Sequence, residues 1–322
     1  MPYKLNSRSG SQAVLVCGGT GQIGQSIIEQ ANTRGIRVIA PSSQTLDITD
    51  SASVSDALER YQPTLIINAA AYTNVDGAET DAARAFAINA DGVRHLAVAA
   101  HFAAIPLFHI STDYVFSGKG NEPITESHPT GPCSVYGASK LAGEQAIIES
   151  AANHIVLRTS WVYGMHGHNF VKTMLRLGRE QPSVSIVNDQ VGCPTYAASI
   201  ASVLLELCSR YVEKGDLPWG IYHYSGRSAC SWYEFAREIF SQAGAIGVLE
   251  KAPHIQAVST DEYPTPSCRP AWSVLDCQRF ESTFGITTLD WREELYKCLS
   301  LMAASGCRSS NVRLPIRFAD MP

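Results

Sequence analysis

Tyr136 and Lys140 stand four residues apart in VYGASKLAGE, a spacing that puts both side chains on one face of a helix. A free phenol titrates near 10 and is a poor acid–base catalyst at neutral pH. An ammonium group beside it favours the phenolate and draws the tyrosine towards the working range. Upstream, Ser111-Thr112-Asp113-Tyr114 ends a run that reads as a strand. A hydroxyl there, with Thr112 the choice, can share a carbonyl oxygen with Tyr136 and polarise it. The chemistry these three residues suggest is proton transfer at the oxygen of a ketone or alcohol.

A second cluster supplies the partner for such chemistry. Gly18-Gly19-Thr20-Gly21-Gln22-Ile23-Gly24 follows the first apolar run and opens the first helical pattern. Glycines at such a turn let the backbone approach a pyrophosphate, and the helix N-terminus adds N–H groups and positive potential. Lys140, about 115 residues on, could then hold a nicotinamide ribose. The end of the second strand reads Ala40-Pro41-Ser42-Ser43, with neither the acid that accepts the ribose hydroxyls of NAD nor an arginine for the extra phosphate of NADP. The reading leans to NADPH, with NADH as the alternative. Asp47 has two readings, an adenine-edge contact or a helix-cap acid before Ser51. Asn68-Ala69-Ala70-Ala71 follows the third strand, where small side chains let a cofactor lie against the sheet, and Tyr72 and Thr73 come next.

The elements that must position these groups are legible as alternation. Continuous apolar runs AVLVC (13–17), RVIA (37–40), TLIINAA (64–70), PLFHIS (106–111) and HIVLRTS (154–160) alternate with helical patterns at 22–34, 51–61, 79–104 and 134–151. That order predicts an α/β protein, a Rossmann-like doubly wound parallel sheet covered on both faces. Ligands of such sheets sit outside the carboxyl ends of the strands, and every segment singled out above falls there. The second half is less regular, with helical stretches at 168–180, 195–211, 231–243 and 290–302, a strand at 219–225, and a proline-dense loop at 263–270. The division expected is a dinucleotide-binding domain over 13–161, completed by 192–225, and a smaller discontinuous substrate-binding domain from 162–191 and 226–302. Residues 1–12 and 303–322 are expected to be loose termini.

Composition narrows the classes further. The 322 residues are 45% apolar and 17% charged, with net charge -5, which excludes a disordered chain and gives no basic footprint for nucleic acid or an anionic membrane. No apolar run approaches the ~18 residues of a membrane span, and the block after the leader is too short for a secretion signal. Nine scattered cysteines without a CxxC pair fit a reduced, cytoplasmic setting. His166 and His168 read as loop residues, and no spacing supports a protein metal site.

The set GGTGQIG, NAAAYTNVDGAE, STDYVFSG, VYGASKLAGE, RTSWVYG, NFVKTMLRL, NDQVGCPT and YPTPSCRP closely resembles the dTDP-4-dehydrorhamnose reductase family of extended short-chain dehydrogenase/reductases, over residues 13–300. The resemblance implies reduction of the C4 ketone of dTDP-4-dehydro-L-rhamnose to dTDP-L-rhamnose, the last step in supplying that sugar for polysaccharide. It implies Tyr136 as proton donor, Lys140 as its partner and Thr112 as the third catalytic group. Gly21, Gln22 and Ile23 match the family's phosphate loop, Asp47 and Ile48 an adenine-side pair, and Ala71, Tyr72 and Thr73 the cofactor turn. Thr112, Asp113 and Trp161 match sugar contacts, Trp161 otherwise reading as a core aromatic. Arg269 is the candidate for the dTDP diphosphate, since guanidinium groups bind phosphate oxygens bidentately.

Departures are visible too. Trp272 stands in RPAWS where relatives often carry an amide, and Ser26 occupies the first-helix position that could supply a ligand to Mg²⁺, which some relatives use in dimerising. The resemblance alone allows Mg²⁺; Ser26 argues against a metal-bridged dimer, and the chain is read as a monomer or homodimer. Two rivals stand beside the reductase: a nucleotide-sugar dehydratase or epimerase of the same superfamily, and a non-catalytic regulatory subunit of the methionine adenosyltransferase type. Tyr114 occupies the position where dehydratases place a glutamate, which argues against elimination.

Overall fold

The computed structural model describes residues 13–150 and 152–305. Of the two terminal stretches expected to be loose, 1–12 and 306–322 lie outside the described residues, whereas 303 and 304 complete the last helix. Five strands arise where the apolar runs predict them: β1 (Ala13–Cys17), β2 (Arg37–Ile39), β3 (Leu65–Asn68), β4 (Leu107–Thr112) and β5 (His154–Thr159). With a sixth strand at Gly220–His223 they form one sheet in the order sixth-β5-β4-β3-β1-β2, parallel throughout. The order reverses between β1 and β3, which is where an open α/β sheet leaves a crevice for ligand.

Successive strand residues face opposite sides, so β1 feeds two cores. Val14 and Val16 pack with Leu65, Ile67, Ile27 and Leu204. Leu15 and Cys17 pack with Ile66, Val54, Leu96 and Ala97 on the other face. The first face is covered by helices α1 (Gln22–Arg34) and α8 (Ala197–Lys214); the second by α2 (Ser51–Tyr61) and α5 (Gly92–Ala103). Between them run the short α3 (Val75–Ala78) and α4 (Ala82–Phe86). The helix expected over 79–104 is interrupted by a π-turn at Ala87–Asp91, a distortion that often accompanies functional sites. Helix α6 (Val135–Glu149) is N-capped by Ser134, whose hydroxyl accepts the Gly137 N–H.

A separate apolar cluster fills the other lobe. It joins α7 (Phe170–Glu180), α9 (Trp232–Ala245) and the last helix (Trp291–Ala304) through Phe170, Met174, Phe235, Ile239, Trp291 and Leu295. A two-stranded parallel pair, Ser183–Val187 with His254–Val258, lies against it. Neither of these strands was marked by the sequence. The 263–270 loop is irregular, as its prolines require.

Candidate active site

The carboxyl ends of the sheet line up, Cys17 beside Asn68 and Thr112 beside Thr159, and the motifs that follow them open into one cavity of about 480 Å³. Its lining includes Gly21, Gln22 and Ile23 of the glycine turn, Ala71 and Thr73 after β3, Thr112 and Asp113 after β4, Tyr136 and Lys140 on α6, and Trp161 after β5.

The glycine turn has the form a pyrophosphate needs. Gly18 sits at φ +79°, and a Cβ there would lie 2.5 Å from the Ala70 nitrogen. A Cβ on Gly24 would lie 2.2 Å from the Gly18 carbonyl oxygen. These two glycines serve the turn from behind the cavity, by letting α1 approach β1 and β3. Gly21 is the N-cap of α1 with no side chain capping it, and Gly21, Gln22 and Ile23 line the cavity, an arrangement suited to an anion. The residues fit a dinucleotide.

On α6, Tyr136 is half-buried and edge-on to Tyr114, ring centroids 5.5 Å apart. Burial raises its phenol above the ordinary value; the Thr112 hydroxyl pulls the other way, and Asp113 and Tyr114 add to the rise. The expectation that Lys140 draws this phenol down is not met. Lys140 is not among the groups that shift the phenol; its Nζ donates to the Ile110 carbonyl at 2.7 Å and lies 3.3 Å from His109 Nε2. Burial brings Lys140 down to about 8, against the pull of Glu144. The Thr112 hydroxyl donates to Asp113 Oδ1 at 3.0 Å and accepts the Tyr114 N–H at 3.2 Å. Asp113 Oδ2 is buried without a partner, and burial pushes this carboxyl up to about 6 against the pull of the nearby Ser273 and Thr112 hydroxyls.

Trp161 sits at φ +46°, the left-handed region, strained for a residue with a side chain. Its indole stacks on Trp232, centroids 3.5 Å apart and planes 6° from parallel. Gly192 allows this: a Cβ there would lie 2.5 Å from the indole Cε2. One face of the indole is thus covered by Trp232 within the protein, and Trp161 also lines the cavity.

Several sequence expectations end elsewhere. Arg269 is not in the lining; it pairs with Asp76 of α3 at 3.0 Å, both side chains buried. Its guanidinium is engaged by a carboxylate through one terminal nitrogen, with Nε buried and unpartnered, and it is not brought into the cavity lining. Asp47 is exposed, its carboxylate accepting the Thr49 N–H and hydroxyl at 2.9 and 2.7 Å. These bonds hold it below its usual range. The cap of α2 is Asp50 instead. Ile48 is buried, its carbonyl 3.0 Å from His95 Nδ1. Ala70 and Tyr72 lie behind the lining, where Asn89 clamps the Tyr72 backbone, accepting its N–H at 2.8 Å and donating to its carbonyl at 3.0 Å. Among the described residues no group of three or more His, Cys, Asp or Glu could hold a metal ion. Ser26 donates to the Gln22 carbonyl, so the residues do not fit Mg²⁺ at the first helix.

Sequence reasoning missed Trp232, His168 and Phe170, all in the lining, and Asn89, which also donates to Ser139 on α6. Position after the fifth strand could have flagged 167–170; nothing local flags Trp232 or Asn89.

The sequence profile of the RmlD substrate binding domain matches residues 12–304. The dTDP-4-dehydrorhamnose reductase of Aggregatibacter actinomycetemcomitans is 41% identical over 88% of this chain and 96% of its own length. The spore coat polysaccharide biosynthesis protein SpsK of Bacillus subtilis (strain 168) is 40% identical over 89% and 96%. A crystal structure of dTDP-4-dehydrorhamnose reductase from Bacillus anthracis strain Ames, in complex with NADP, superposes with a TM-score of 0.84 at 36% identity, covering 90% of this chain and 99% of that one. With the same strand-end motifs gathered in one cavity of a Rossmann-like sheet, the chain belongs to the dTDP-4-dehydrorhamnose reductase family of oxidoreductases.

Proposed function

We propose that the protein reduces the C4 ketone of dTDP-4-dehydro-β-L-rhamnose to dTDP-β-L-rhamnose with NADPH. One observation carries the reading: Tyr136, Lys140 and Thr112 share a single cavity with the glycine turn and Trp161. Gly21, Gln22 and Ile23 hold the cofactor's pyrophosphate at the N-terminus of α1, and Ala71 and Thr73 flank it at the end of β3. The bound dinucleotide supplies the hydride. Tyr136, kept protonated by burial, donates its proton to the oxygen that becomes the C4 hydroxyl, and the Thr112 hydroxyl, swung from Asp113 Oδ1, polarises the same oxygen. Lys140, as an ammonium, holds the nicotinamide ribose. Asp113 Oδ2, buried without a partner, accepts a sugar hydroxyl, and the Trp161 indole in the cavity lining packs on the deoxysugar.

Ala40-Pro41-Ser42-Ser43 at the end of β2 supports NADPH over NADH by lacking the acid that would repel the 2′-phosphate. Residues 162–191 and 226–302 are assigned to the substrate side. No helix among the described residues is long and apolar enough to cross a membrane, and the eight cysteines described are all free thiols; both support a cytoplasmic enzyme, working as a monomer or homodimer. The test is an assay of the purified protein with dTDP-4-dehydro-L-rhamnose, following nicotinamide absorbance. Stoichiometric loss of NADPH with appearance of dTDP-rhamnose is expected. Product without net NADPH loss would indicate an epimerase, and binding without turnover a regulatory subunit.

A further inference from the structure

Behind the cavity a line of polar side chains crosses three elements. Lys140 Nζ on α6 lies 3.3 Å from His109 Nε2 on β4. His109 Nδ1 lies 3.0 Å from Asn68 Nδ2 at the end of β3, and Asn68 Oδ1 accepts the Ala70 N–H at 3.0 Å. All three side chains are buried, Asn68 and His109 fully, so no solvent can relieve a mismatched contact.

The direction of each bond follows from the far end of the line. The Ala70 N–H can only donate, which fixes the Asn68 oxygen towards it and turns the amide nitrogen to His109. An amide nitrogen also only donates, so Nδ1 accepts and the single ring proton sits on Nε2. That N–H points at Nζ. An ammonium has three donors and no acceptor, so a charged Lys140 sets donor against donor, whereas a neutral amine offers a lone pair. We infer that Asn68 and His109 are positioning residues that present an Nε2–H to Lys140 and so stabilise its neutral amine against its ammonium.

The groups facing Lys140 divide: burial and the His109 ring favour the amine, whereas Glu144 and the Ile110 carbonyl, which accepts from Nζ at 2.7 Å, favour the ammonium. Burial lowers Lys140 in the same sense, and burial alone already acts to keep His109 below its ordinary value, in favour of a singly protonated ring; any charge on Lys140 would add to this. Glu144, one turn along α6, favours the ammonium. It is already engaged by Arg158 of β5 at 2.6 Å and by the Ser111 hydroxyl at 2.5 Å. Asp113, Tyr114 and Tyr136 stand on the cavity side. The consequence for turnover rests on the reading above, in which the ammonium is the working form; the tautomer does not.

The test begins with the free wild-type protein. Long-range ¹H–¹⁵N spectra, with the ring of residue 109 assigned by loss in His109→Gln, should show the proton on Nε2. A proton on Nδ1, or on both nitrogens, would overturn the assignment without any activity assay. In Asn68→Asp the carboxylate accepts from both neighbours, so the proton should move to Nδ1 and free Nε2 to accept from the ammonium. An unchanged tautomer in this folded variant would also overturn it. Should Lys140 rise by one pH unit, kcat/KM at pH 9 relative to pH 7 rises about fivefold. If the protein reduces no ketone at all, the reading of function fails while the spectra still decide the tautomer.

Discussion

Tyr136 is raised rather than lowered by its surroundings, which suits a residue asked to give up a proton only as negative charge builds on the substrate oxygen. Tyr136→Phe is therefore expected to reduce kcat by roughly 100-fold or more, the ordinary size of a general-acid contribution, with little change in cofactor affinity. Turnover within a few-fold of wild type would remove the phenol from the mechanism. Trp232 acts at one remove, holding the Trp161 indole flat. Trp232→Ala should raise KM for the dTDP-sugar several-fold while leaving kcat within about twofold, the pattern of lost uniform binding. A fall in kcat at constant KM would assign it a different part. Arg269 shows how far local chemistry reaches: a lone guanidinium in a proline-rich loop looked free for phosphate, and its true partner, Asp76, lies 193 residues away. No spacing rule connects such a pair.

Between elements, the same limits recur. β1, β3, β4 and β5 were legible because buried parallel strands read as unbroken Val, Ile and Leu runs. The helix over 79–104 was legible as a helix, but its π-turn, the feature that aims Asn89 at Tyr72 and Ser139, leaves no trace in a 3.6-residue period. The pairing of Ser183–Val187 with His254–Val258 is set by the fold that brings them together. Within the site, the groups sitting directly after a strand end were found, and those delivered by a later return of the chain, Trp232 above all, were not. The glycine turn makes a sharp prediction at this scale. Gly24→Ala places a methyl against the Gly18 carbonyl, so α1 must shift off the turn. NADPH affinity, followed by fluorescence titration, should weaken at least tenfold, a loss of about 1.4 kcal/mol. Unchanged affinity would show that α1 is not the pyrophosphate site.

For the molecule as a whole, the last helix carries a buried carboxyl. Glu294 accepts from the Ser199 hydroxyl of α8, and burial brings it up to about 7 against that bond. A folded-state value above the unfolded one means the native protein binds more protons between about pH 4.5 and 7, so this group's contribution to stability falls as pH rises through that window. Glu294→Gln should flatten the pH dependence of urea unfolding there and stabilise the protein at pH 8. An unchanged slope would show that Glu294 is ionised in the native state. The packing of α1 against α8 bears on how the chain is made. Ile27 and Ala31 on α1 lie against Ile200, Ala201 and Leu204, and Gln30 and Arg34 reach the Ala198 and Ser202 carbonyls 168 residues ahead. During synthesis the first strands and α1 therefore leave the ribosome with one apolar flank bare, and it stays bare until more than two hundred residues have emerged. A nascent chain stalled near residue 161 would be a client for holding chaperones.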